Sequence, residues 1–302
     1  MEPLFFSVIV PTCNRPGQLR ECLSSLTLLD YPRDNFEVIV VDDGSETPPT
    51  DVVPSFSRRL QVTLLTQDNT GPAAARNAGV VRARGKFLAF IDDDCAPAPN
   101  WLKVLSARFG ASPNQAVAGR TINALPDNPF ATTTHIILDM VHSYYNADPH
   151  HARFAISSNM ALPTEMFRSL GGFDETFRTA EDRDLCDRML HRGYRLIYAP
   201  EALVYHTHPL AVGGYWRRYF NYGRGAFRLH RARVQRGSGS FRPELNFYLQ
   251  VLSSLLEILV KAQNHHDLYR ALLLVMWQVA NAAGYLWENW LINMKASSLV
   301  YR

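Results

Sequence analysis

The chain has 302 residues, of which 47% are hydrophobic and 20% charged, with a formal net charge of +3. That composition excludes a disordered chain and suits one large α/β domain with an appendage. The net charge points to no partner class; its distribution says more. No Asp or Glu occurs from Ala202 to Pro243, whereas Arg217, Arg218, Arg224, Arg228, Arg231, Arg233, Arg236 and Arg242 all fall there.

The N-terminal stretch MEPLFFSVIVPT carries an acid and no basic segment, and its apolar run stops at Pro11. It reads as a first β-strand and not as a secretory signal. Phe5–Val10 is that strand. Pro16 to Leu29 follows with helical spacing of Leu19, Cys22, Leu23 and Leu26. Phe36–Val41 and Leu60–Thr66 read as the second and third strands. Pro72–Arg84 is Ala-rich and helical, with Pro in its first turn, and Lys86–Ile91 is a fourth strand. Strand and helix in short alternation predict βαβ units and a parallel sheet, whose ligands bind at the carboxyl ends of the strands. PTCNR (Pro11–Arg15), DDGS (Asp42–Ser45) and DDD (Asp92–Asp94) each follow a strand, so they are expected on one edge.

Beyond that point the pattern loosens. Thr121–Arg153 carries no readable periodicity. Phe154–Leu162 reads as a strand with SSN inside it, Pro163–Leu170 as a short helix ended by Gly171 and Gly172, and Arg178–His191 as a helix. Arg195–Ala199 and Ala202–Tyr205 read as two short strands. After Gly214 the pattern is helical to the end, apart from a linker at Arg236–Pro243. Cys13, Cys22, Cys95 and Cys186 are scattered without CxxC spacing, which predicts free thiols in a reducing, cytoplasmic setting.

Three adjacent carboxylates at a strand end repel one another unless a cation stands among them. Asp92 and Asp94 offer hard oxygen ligands of the kind that suit Mg²⁺ or Mn²⁺. Alone, a DDD run reads equally well as a solvated acidic loop. It stands, however, in an ordered series. SVIVPTCNRPGQLRECLSSL (Ser7–Leu26) is followed by VIVVDDGS (Val38–Ser45) and NTGPAAARNAGVVRARGKFLAFIDDDC (Asn69–Cys95). GGFDETF (Gly171–Phe177), AEDRDLCDRMLHRGYRL (Ala180–Leu196) and ALVYHTHP (Ala202–Pro209) complete it. The set resembles family 2 glycosyltransferases, and with them implies the GT-A fold, an αβα sandwich on a mainly parallel sheet.

The resemblance implies roles. Members transfer a sugar from a nucleotide diphosphate sugar to a hydroxyl with inversion at the anomeric carbon. Pro11 and Thr12 match the loop that touches the nucleoside, Asp43 the residue that binds the base, and Arg76 a residue near the nucleotide. Asn14, Arg15 and Gly71 are assigned to the same donor site. Asp92 and Asp94 match the DxD motif and the metal, with Asp94 in direct contact and Asp93 nearer the ribose. His206 completes the metal site with Mn²⁺ or Mg²⁺, and His208 reads as a capping or surface residue. Asp182 matches the catalytic base, and Glu181 holds the acceptor or orients that base. From the residues alone, Asp43 is a turn-former before Gly44 and Arg76 a surface arginine, and acids at a helix start simply favour its dipole. The Gln-x-x-Arg-Trp motif of processive members is missing after the AED segment, which implies a non-processive enzyme.

Residues 1–98 are thus expected to form a nucleotide-binding half, 99–212 an acceptor-binding half, and 213–302 a helical region. Ala271 to Trp287 lacks charge but is short and interrupted for a membrane span. Asn246–Val260 is amphipathic, and Trp277, Trp287 and Trp290 suit either a core or a bilayer interface. With the arginine-rich stretch, this predicts peripheral contact with an anionic membrane, with a packing or homodimer module as the alternative. No nucleic-acid-binding motif surrounds the basic stretch. The expected partners are a UDP- or GDP-sugar and a glycan or lipid-linked acceptor. Two other readings stay open: a sugar nucleotidylyltransferase, whose Gly-rich loop PTCNRPGQL lacks, and a nucleotide- or glycan-binding scaffold, against which intact Asp94 and Asp182 speak.

Overall fold

The computed structural model describes residues 3–239, 244–261 and 265–300. In chain order the elements begin with β1 (Phe6–Thr12), α1 (Pro16–Leu26), β2 (Phe36–Asp43), β3 (Val62–Gln67), α2 (Pro72–Arg82) and β4 (Phe87–Phe90). There follow β5 (Cys95–Pro97), α3 (Trp101–Ala111), β6 (Gln115–Asn123), α4 (Pro129–Tyr145), β7 (Met160–Pro163), α5 (Thr164–Leu170), α6 (Glu181–His191) and β8 (Arg195–His206). The last are α7 (Val212–Arg236), α8 (Leu245–Val260) and α9 (His265–Val300). The chain falls into two compact units, Met1–Ala124 with Tyr145–Thr207, and Leu125–Tyr144 with His208–Arg302.

The first unit is built on one eight-stranded sheet in the order β3-β2-β1-β4-β7-β6-β8-β5. β3, β2, β1 and β4 are mutually parallel, as the alternating first half predicts. β1, β2 and β4 are buried along their whole length, which is why they read as unbroken apolar runs. Successive β1 residues feed opposite layers. Phe6, Val8 and Val10 join Leu19, Leu23 and Trp101 on one side, while Ile9 joins Ile39, Val80 and Phe90 on the other. From β1 the chain steps outward to β2 and β3, then returns to place β4 on the other side. The switch point between β1 and β4 is where such sheets open a crevice at their carboxyl ends.

The second half of the sheet departs from the sequence reading. β7 is antiparallel to both β4 and β6, and β5 is antiparallel to β8. The strand expected over Phe154–Leu162 starts only at Met160, because Ser157–Asn159 form a tight 3-10 turn. The two strands expected at Arg195–Ala199 and Ala202–Tyr205 are one strand, whose pairing with β6 slips at Gly119/Arg120. Asn159 holds that slip together. Its Nδ2 donates to the carbonyls of Arg120 (3.0 Å) and Ala202 (2.9 Å), and its Oδ1 accepts from Trp101 Nε1 (2.9 Å). A polar residue inside an apolar run is here the acceptor and donor that a bulge requires.

The second unit is helical. α7 and α9 approach so closely at Gly223 and Gly284 that a Cβ on Gly284 would lie 1.9 Å from the Phe220 carbonyl. Tyr215, Tyr219, Leu273, Leu274 and Trp277 form its core together with Phe130 and Met140 of α4, a helix within the segment Thr121–Arg153. Glu288 is 1% exposed and accepts from Arg224 Nε and Arg228 Nε, both at 2.7 Å. Burial would raise its carboxyl, but the two arginine hydrogen bonds hold it below its ordinary value. α7 ends at Arg236; of the linker expected over Arg236–Pro243, residues 240–243 lie outside the described residues, as does Arg242. No described helix is long and apolar enough to cross a membrane.

Asn159→Ala would orphan an indole N–H and two backbone carbonyls in the first unit's interior. Each unsatisfied buried group costs about 1–3 kcal/mol, so the variant should lose roughly 3 kcal/mol or more, read as a lower urea midpoint. An unchanged midpoint would show that Asn159 does not hold the bulge.

Candidate active site

The clusters that follow β1, β2 and β4 do meet on one edge of the first unit. Thr12, the last residue of β1, donates its hydroxyl to Asp93 Oδ2 at 2.6 Å across the switch point. Arg15 reaches back over the same place, with Nη1 3.3 Å from both Asp93 Oδ1 and Asp94 Oδ2. Pro11 is buried in β1. Asn14 stands in the left-handed region (φ 56°), which lets its side chain tie the loop after β1 to the loop after β2. Its N–H donates to Ser45 Oγ (2.7 Å), and its Oδ1 accepts from Glu46 N (2.8 Å).

Asp43 is both turn residue and anchor. Its Oδ1 accepts from Thr70 N (2.9 Å) and Gln67 Nε2 (2.8 Å), and its Oδ2 from Gly71 N (2.8 Å). Gly71, at φ 103°, occupies a conformation closed to other residues and starts α2. The second acid of DDGS thereby fixes where α2 begins, and α2 carries Arg76.

Arg76 is not the surface arginine that its helix spacing suggests. It is 3% exposed, with Nη2 2.6 Å from Asp92 Oδ1 and Nη1 2.9 Å from Glu181 Oε1, over the Phe173 ring at 5.6 Å. One guanidinium thus joins the DDD loop to the AED segment. Burial works against its charge, but Asp92 and Glu181 outweigh that and raise its pKa further. The AED segment is set by Ala180, which takes a left-handed conformation (φ 71°) at a cost of about 1–2 kcal/mol. The turn brings Glu181 and Asp182 to the start of α6. Asp182 accepts from Arg183 N (2.7 Å) and weakly from Ser157 N (3.4 Å).

The electrostatics are strained. Burial pushes the Asp93 carboxyl up to about 6 against the pull of Thr12 and Arg15. Burial and the neighbouring Asp182 push Glu181 up to about 7, with Arg76 opposing. Asp182 is also raised, by burial, against the Arg183 amide and the Arg76 charge. Carboxylates perturbed together at the edge of a sheet make that edge a candidate functional site.

Asp94 stands apart from Asp92. Its Oδ1 lies 3.2 Å from His206 Nε2 at the end of β8, and its carbonyl accepts from Thr207 N at 2.8 Å. Asp94, Cys95 and His206 are the described residues whose donor atoms could share a metal ion, all within 4.8 Å of one another. Asp92, expected beside Asp94, is engaged by Arg76 instead. The sequence reading missed the Ser157 amide on Asp182, Phe173 beneath Arg76, and Cys95 beside His206. The SSN interruption and the position of Cys95 next to DDD were the available signals.

The glycosyl transferase family 2 model matches residues 7–171. The chain is 34% identical over 225 residues to the pre-mycofactocin glycosyltransferase of Mycobacterium tuberculosis. The chain belongs to glycosyl transferase family 2. That match covers 73% of this chain and 46% of the relative, so the chain spans about half the length of this curated relative. The mannosyltransferase PcManGT of Pyrobaculum calidifontis, solved with GDP-Man and Mn²⁺, shares the fold with a TM-score of 0.69 at 19% identity, over 95% of this chain and 88% of that one. TarS residues 1–349 of S. aureus, solved with UDP-GlcNAc, gives 0.54 at 20% identity, over 92% and 72%. The fold is GT-A.

Arg76→Met would leave Asp92 and Glu181 facing a buried apolar side chain. Breaking a buried ion pair costs about 3–5 kcal/mol. Glu181, at about 7 with Arg76 in place, is protonated at pH 5 and ionised at pH 8, so the loss should be larger at pH 8. Urea unfolding at both pH values reads it, and an equal loss at both would contradict the pairing.

Proposed function

We propose that this chain is an inverting glycosyltransferase that moves a sugar from a nucleotide diphosphate sugar to a hydroxyl acceptor, with Asp182 as base. The observation that carries it is the link Asp92–Arg76–Glu181, which joins the expected donor loop to the expected base segment within one buried cluster. Family membership supplies the reaction class, and the GDP-sugar and UDP-sugar of the two structural neighbours supply the donor class.

The donor would lie over the carboxyl ends of β1, β2 and β4. Asp43 would meet the base, with Pro11, Thr12, Asn14 and Gly71 shaping the nucleoside pocket. Asp93, buried and held by Thr12, would face the ribose, and Arg15 and Arg76 would face the diphosphate and the sugar. Asp94 and His206 would hold a divalent cation. A carboxylate oxygen and an imidazole nitrogen 3.2 Å apart form a donor set that fits Mn²⁺, and Mg²⁺ through the carboxylate. When bound, a divalent cation neutralises charge developing on a departing diphosphate. Asp92 would act through Arg76 unless the pair opens.

Inversion requires the acceptor oxygen to attack in line, opposite the diphosphate. The new bond forms between that oxygen and the anomeric carbon as the bond to the diphosphate oxygen breaks. The hydroxyl proton passes to Asp182. Its raised pKa makes it a stronger base than an exposed aspartate. Both carboxyls of the pair are raised by burial, so activity should rise with pH as the pair loses its protons, above the ordinary carboxylate range.

Asp182→Asn keeps the shape and removes the proton acceptor. Transfer, or donor hydrolysis in a screen of nucleotide sugars with Mn²⁺, should fall by at least about a hundredfold while donor affinity changes little. Near-normal turnover in Asp182→Asn would move the base elsewhere.

The second unit supports peripheral contact with an anionic membrane. α8 exposes Leu245, Leu249, Leu252 and Leu256 at helical spacing, and α9 exposes Leu268, Leu272, Val279, Leu286, Trp287 and Trp290. Arg217 and Arg231 are exposed on α7, and each arginine near such a surface adds about 1 kcal/mol. The arginine contribution is smaller than the sequence count suggests, because Arg224 and Arg228 are spent on Glu288. The chain should co-sediment with phosphatidylglycerol vesicles at low salt, less so at high salt, and Leu252→Glu/Leu256→Glu should release it. A chain that stays in the supernatant at low salt would overturn the membrane reading and leave these helices a packing or dimer module.

A further inference from the structure

Cys95 is the residue of this edge that the proposed transfer does not use. It opens β5, which runs antiparallel to the end of β8 with Cys95 directly opposite His206. Directly opposed residues in such a pair carry their side chains on the same face, with Cβ atoms about 4.5–5.5 Å apart. The thiol therefore meets the imidazole by strand register, independently of the DDD loop. That loop then delivers Asp94 to the same point, and Cys95 Sγ lies 3.7 Å from Asp94 Oδ1. Sulfur, carboxylate oxygen and imidazole nitrogen all fall within 4.8 Å of one another. Ligand atoms around a small divalent ion, at 2.0–2.3 Å from it, stand about 3–4.5 Å apart. The three donors thus need only small shifts to share one ion. Cys95 is 2% exposed and in no disulfide, so it is neither a surface thiol nor a structural bridge.

We propose that Cys95 is the third protein ligand of the cation site, making it an Asp–Cys–His set that favours thiophilic divalent ions over Mg²⁺. The inference rests on the reading that Asp94 and His206 hold a divalent cation, and adds to it the identity of the ion. Carboxylate and imidazole alone suit Mn²⁺, and take Mg²⁺ through the carboxylate. A sulfur donor changes that: it binds Zn²⁺, Cd²⁺ and Co²⁺ strongly and gives Mg²⁺ nothing. Three protein donors leave a coordination position open for an outside oxygen, as in sites where a metal meets a substrate. On coordination the thiol proton leaves to solvent, so binding releases one proton per ion. The competing assignment is a packing role, since Cys95 also borders the apolar cluster around Trp101 and Leu105. A packing residue makes no bond to the ion.

The test loads the full chain with Co²⁺ alone and reads its absorption. The expected result is a strong near-ultraviolet sulfur-to-cobalt charge-transfer band together with weaker visible d–d bands. Cys95→Ser and Cys95→Ala should each remove the charge-transfer band and keep the d–d bands from Asp94 and His206. Competition should show the preference for Cd²⁺ over Mn²⁺ falling by about tenfold or more in both variants. Cobalt d–d bands in the unaltered chain without a charge-transfer band would overturn the proposal and leave the Asp94–His206 reading standing. So would a charge-transfer band that survives both substitutions. No cobalt bound at all would overturn the metal reading itself. The unaltered chain's own spectrum decides the matter even if a variant folds poorly.

Discussion

Negative charge in a confined space is the constraint on which the rest of the first unit depends. Asp92, Asp93, Asp94, Glu181 and Asp182 come from two distant stretches of chain and crowd one edge of the sheet. Like charges in a crevice raise one another's pKa and oppose folding unless counter-charge is built in. Arg76 supplies part of it, buried between Asp92 and Glu181. Arg15, half-exposed, supplies part of it to Asp93 and Asp94. Against that counter-charge, burial still raises the carboxyls of Asp93, Glu181 and Asp182, with the neighbouring Asp182 adding to the rise at Glu181.

The scaffold serves that edge by fixing where each element starts. Asp43 binds the Thr70 and Gly71 amides and so sets the first turn of α2, which in turn aims Arg76. Ala180 spends backbone energy to begin α6 at Glu181. Asn159 pins the slip between β6 and β8, and the end of β8 is where His206 stands. Polar residues that look out of place in apolar runs are here the ones that position other side chains.

The second unit solves a related problem by a different route. Glu288 is as buried as any site carboxylate, yet two arginines from α7 satisfy it and lower its pKa. Its pair is structural: it locks two helices whose glycines already allow backbone contact.

The sequence by itself determined the βαβ half of the sheet, because parallel strands buried on both faces must be continuous apolar runs broken by turn residues. It also determined which residues lie at carboxyl ends, since PTCNR, DDGS and DDD each follow a strand directly, and the ordered motifs carried the family. The antiparallel half was not legible in the same way. A 3-10 turn at Ser157–Asn159 and a register slip at Gly119/Arg120 depend on partners tens of residues away, and no local period records them. Nor could periodicity tell that Arg76 is buried, for helix spacing gives a face and not what covers it. The pairing of Asp92 with Arg76 and the meeting of Cys95 with His206 were decided by tertiary structure alone, whereas the resemblance already placed His206 with Asp94. Adjacent residues of one loop point to different partners, and only the packing of α2 and the register of β5 on β8 determine which partner each one meets.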